Sequence, residues 1–112
     1  MSEDMMNTLE LTIEQAKEKV NVMEAIDRLS QNKDFITVIL EGYLEKEAVR
    51  LVHAKADPGC TKPETQVDLI KQIDAIGCFT GYLRALRHSG MLSQKAIIDS
   101  EQTREEILAE RM

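Results

Sequence analysis

Few residues in this chain have the types and spacing to do chemistry: Cys60 and Cys78, His53 and His88, and the carboxylates Glu41, Glu45 and Glu47. Cys60, in Pro58-Gly59-Cys60-Thr61, stands just ahead of a predicted helix start, where the helix dipole can activate a thiolate nucleophile. No recognisable base or oxyanion-hole motif accompanies it, so the sequence reads it as an incidental loop thiol. The two histidines fall on different predicted helices, without His-x-x-x-His or Cys-x-x-Cys spacing. A di-metal carboxylate site in a helical bundle would need Glu-x-x-His on facing helices, and that pattern does not occur. There is no glycine-rich phosphate loop either. The expectation is a chain with no catalytic residue, no metal ligand and no cofactor, which acts by contact.

The elements that would position such contacts are helical. Aromatics make up 4% of the 112 residues, with 2 Pro and no Trp, and the bulk is Ala, Val, Ile, Leu, Glu and Lys, so an all-α fold is expected. Thr12 with Gln15 reads as a capping box, and Ile13, Ala16, Val20 and Met23 recur behind it at helical spacing, placing a first helix at 12–30 after a flexible segment 1–11. Asn32 or Asp34 caps a second helix over 34–56, which Asp57-Pro58-Gly59 stops. Thr61 with Glu64 forms another capping box, and Pro63 suits a first helical turn, so a third helix is expected over 62–88. Ser89-Gly90 reads as its end, with a fourth, polar helix from 92 whose part 99–112 projects. The result is an elongated bundle of about four helices centred on the antiparallel hairpin 34–56 and 62–88. A third helix about 40 Å long cannot lie within a compact globule whose radius of gyration is about 13 Å.

At 100° per residue the second helix is apolar on two opposite sides, one with Phe35, Val38, Ile39, Gly42 and Val49, the other with Ile36, Leu40, Tyr43, Leu44, Ala48 and Leu51. It should therefore be covered on both. A hairpin symmetric about its turn sets Gly42 opposite Gly77, four residues before Gly81. Together with Phe35, Leu40 and Phe79 these glycines are the expected helix-packing positions, because glycine permits a close backbone approach.

The formal charge of -6 disfavours general binding to nucleic acid, and the longest apolar runs are too short to span a membrane. The acidic start lacks the pattern of a signal peptide, and two unpaired cysteines fit a reducing compartment. The charge is unevenly placed. Between Asp74 and Asp99 there is no acid, while Arg84, Arg87, His88 and Lys95 cluster there. Cations at the end of a helix satisfy its last carbonyls, and that is the plain reading of the cluster. The functional one is docking to an acidic surface such as Glu10, Glu14 and Glu18 of another subunit, or Glu101, Glu105 and Glu106.

The run from Asp34 to Leu51, DFITVILEGYLEKEAVRL, with Lys55-Ala56-Asp57-Pro58, resembles small helical proteins encoded among the virion-assembly genes of tailed bacteriophages. Ile73-Asp74-Ala75-Ile76-Gly77, Tyr82-Leu83 and the tail Thr103-Arg104-Glu105-Glu106-Ile107-Leu108-Ala109 belong to the same pattern. The resemblance implies a non-enzymatic virion-associated or assembly protein near the capsid or portal. Such a protein would be made in the host cytoplasm, would contact itself or other virion proteins as a homo-oligomer, and would engage neither membrane nor specific nucleic acid. The alternative is a small acidic inhibitor or adaptor that binds a host protein.

Overall fold

A computed structural model describes residues 2–111, and no strand occurs among them. Three helical rods account for almost all of them. The first is α1 (Ser2–Leu29). The second runs through α2 (Lys33–Phe35), a π-helical segment (Ile36–Glu47) and α3 (Ala48–Ala56). A 3₁₀ turn (Pro58–Cys60) leads into the third, α4 (Pro63–Glu110). The described chain forms two compact units, one from α1 up to Ile26 with α4 from Ala85 onward, the other from Asp27 to Arg84.

In the first unit, burial follows a strict three-four spacing on both helices. On α1 the covered positions Met6, Leu9, Ile13, Ala16, Val20 and Met23 form one stripe. On α4 the stripe is Leu86, Gly90, Ser93, Ile97, Ser100, Arg104 and Ile107. Sustained seven-residue repeats of this kind pack helices along a seam. Met23 lies directly against Gly90, where an added Cβ would stand 2.8 Å from its Sδ and 2.9 Å from its Cγ. The helices run antiparallel, since Glu18 and Val22 share a cleft with Leu86 and Ser89, whereas Asp4 and Thr8 share one with Thr103.

Several sequence expectations fail here for one reason. Residues 1–11, expected to be flexible, are helical from Ser2, because Met6 and Leu9 continue the seam and Glu3 and Asp4 favour the positive end of the helix dipole. Thr12 is not a cap but an interior residue whose Oγ1 donates to the Thr8 carbonyl at 2.9 Å. Ser89-Gly90 does not end a helix. No glycine has positive φ, and Gly90 is the small residue that admits Met23, so the expected third and fourth helices are one. The part 99–112 does not project as far as it is described, since Thr103 and Arg104 line clefts with α1; Met1 and Met112 lie outside the described residues.

The second unit contains the expected antiparallel hairpin. Asn32 caps α2, its Oδ1 accepting from the Phe35 amide at 3.0 Å. Asp57 closes the far turn by accepting from the Gly59 amide at 2.7 Å. The start of α4 is secured by Gln66, not by a Thr61 box. Its Nε2 donates to the carbonyl of Lys55 at 3.0 Å, an acceptor that the end of α3 leaves open, and to that of Cys60 in the 3₁₀ turn at 2.7 Å. Leu51, Leu69 and Ile76 form the core, with Tyr43, Leu44, Ala48, Ala54, Cys60 and Ile73 packed on it.

The π-helical segment changes which residues share a face. Its i→i+5 bonding winds the chain more slowly than an α-helix, so Ile39 and Gly42 arrive on the same side as Tyr43 and Leu51. The two-sided distribution expected at 100° per residue is replaced by one broad covered side. Val38 and Val49, assigned to a second buried face, are 63% and 55% exposed.

Candidate functional site

A concavity of about 550 Å³ opens along the hairpin of the second unit between Val38, Ile39, Gly42, Tyr43 and Leu51 on one side and Gln72, Ala75 and Ile76 on the other. Gly42 on the π-helical turns and Ala75 on α4 leave it open. Tyr43 closes one end, its ring meeting Phe79 edge-on at 6.0 Å between centroids. At the rim, Arg50 pairs with Glu47 through both carboxylate oxygens, Nε lying 3.0 Å from Oε1 and 3.1 Å from Oε2, with a further bond from Nη2. That hydrogen bond holds the Glu47 carboxyl below the ordinary glutamate range and the Arg50 guanidinium above its own.

The packing glycines are not where the sequence places them. Gly42 faces the groove and not a close Gly77; a Cβ on it would meet the Thr37 carbonyl of its own helix at 2.9 Å. At Gly77 and Gly81 an added Cβ would meet nothing within 4 Å, so both sit on an open face of α4. The hairpin register is close to the expected one, but the widened turns leave a groove where a glycine contact was expected. Phe35, Leu40 and Phe79 are half-buried.

The charged candidates are all on the surface. Arg84 ends the second unit, while Arg87, His88 and Lys95 are exposed on the α4 portion of the first. Because α4 runs on to Glu110, none of them stands at a helix end, and the explanation through terminal carbonyls no longer applies. Glu10 and Glu14 line a cleft of about 290 Å³ with Ile13, Lys17 and Arg104, and Glu18 lines one of about 220 Å³ with Lys19, Val22, Leu86 and Ser89. Part of the acidic face expected to wait for another subunit thus borders basic groups of its own unit.

Cys60 is half-buried against the Leu51 cluster and Cys78 is exposed; both are free thiols. Among the described residues no three His, Cys, Asp or Glu side chains gather as metal ligands. None of their helices is long and apolar enough to cross a membrane. Sequence reasoning placed Met23 in a helical stripe and read Gly90 as a helix end, and it missed that the two meet. The signal was present: Leu69, Ile76, Leu83, Gly90, Ile97 and Arg104 recur every seven residues straight through the supposed stop. Comparison of the chain with protein-family models, curated proteins and solved structures found no match.

Proposed function

We propose that this chain is a non-enzymatic helical protein that works through protein contacts during virion assembly in a tailed bacteriophage. One observation supports a contact role above the others. Halfway along α4, away from either helix end, Met91, Leu92 and Ile98 are 58%, 56% and 65% exposed among Arg87, His88 and Lys95. Apolar side chains grouped with cations on a helix face are typical of a surface that a partner covers. The phage setting rests on the sequence pattern of residues 34–58, 73–83 and 103–109. Quantitative mass spectrometry of purified virions and procapsids tests it. The protein is expected in fixed stoichiometry in at least one particle, and absence from both would remove the assembly role. Recovery of a single stoichiometric host protein on the tagged chain, with none in particles, would establish the inhibitor role in its place.

A further inference from the structure

In the first unit each helix turns one stripe inward, which leaves two outer faces on opposite sides of a two-helix layer. The outward side of α1 carries Leu11, 54% exposed, and the exposed acids Asp4, Glu14 and Glu18, which also border its clefts with α4. Between Glu3 and Glu18 there are five acids against Lys17 alone. The outer face of α4 carries Met91 and Ile98 beside His88 and Lys95, in a stretch without any acid from Ala75 to Ile98. Each face thus sets exposed apolar side chains among charge, and the two charges are opposite.

Resting on the contact role above, we propose that the partner is a second copy of this chain, whose α1 outer face docks on the α4 outer face around Met91 and Lys95. The two faces cannot meet within one chain, since α1 and α4 already engage each other through their inner stripes. Opposite charge on the two faces supplies both attraction and orientation. Because the joined faces are different surfaces, the contact is heterologous. Each addition leaves one acidic and one basic face free, so assembly continues to a closed ring or an open filament and does not stop at a dimer.

Sedimentation velocity of the full chain over a range of concentrations tests this. Species heavier than a dimer are expected, and they dissociate toward 1 M salt, where the Debye length falls to about 3 Å. Met91→Glu with Lys95→Glu, and separately Leu11→Lys with Glu18→Lys, change only exposed positions, and circular dichroism verifies that each variant remains helical. Each pair is expected to weaken self-association about tenfold or more. Mixing the two variants is expected to restore association, because their altered faces are again complementary. A wild-type chain that is monomeric at every concentration would overturn the proposal, as would association that neither pair of substitutions alters. A monomer still found in virus particles would remove the second copy as partner while leaving the contact role intact.

Discussion

Gly90→Ala and Gly81→Ala are the same chemical change on the same helix, and the structure requires them to act in opposite directions. At Gly81 a methyl group meets nothing within 4 Å, so only helix propensity operates and alanine stabilises by about 0.5–1 kcal/mol. At Gly90 that gain is opposed by Met23, whose Sδ and Cγ would lie 2.8 and 2.9 Å from the new carbon and whose Cβ would also obstruct it. Overpacking a fitted contact costs about 1–3 kcal/mol, so the net effect at Gly90 is a loss of about 1 kcal/mol. The two variants should differ by roughly 2 kcal/mol in urea unfolding followed by circular dichroism, with unchanged m-values, and by several degrees in Tm. A cycle with Met23→Ala should give about 0.5–1 kcal/mol of coupling with Gly90→Ala, since truncation removes two of the three obstructing atoms but not Cβ. If Gly90→Ala raises the unfolding midpoint as much as Gly81→Ala does, the close approach of α1 to α4 at Met23 is refuted.

Leu51→Ala is expected to cost about 2–5 kcal/mol, because Leu51 is 1% exposed at the centre of the hairpin core, whereas Val38→Ala should stay within about 0.5 kcal/mol; thermal denaturation compares them. Gly42→Ala should destabilise despite alanine's propensity, as the obstacle is the backbone carbonyl of Thr37, and faster hydrogen exchange across 36–47 should report it. Carboxyl NMR should show Glu47 titrating below the ordinary glutamate pKa and rising toward it in Arg50→Gln. Its folded pKa is depressed, so whatever stability the pair contributes is present above the ordinary glutamate pKa and disappears as pH falls through the folded value.

Much of this fold was legible from local chemistry. The helical class, the turn at Asp57-Pro58-Gly59, a cap at Asn32 or Asp34, of which the structure uses Asn32, and the antiparallel hairpin follow from composition, proline geometry and a short polar loop, all of which act over a few residues. The errors cluster where a local signal competed with a distant one. Thr12 and Ser89-Gly90 have the residue types of helix boundaries, yet each lies inside a helix because a partner stripe continues past it.

The sequence by itself determined that the chain is helical, where its hairpin turns, and that Arg84, Arg87, His88 and Lys95 lie in a stretch without acid. Tertiary structure decided what glycine means at each position: Gly90 is room for Met23, Gly42 faces a widened turn and its own Thr37 carbonyl, and Gly77 and Gly81 lie on an open surface. It also decided that the cations stand in mid-helix. The reason is physical. A glycine or a capping residue biases only its own turn by about 1 kcal/mol, whereas a seam of seven-residue repeats sums burial over many turns and overrides that bias.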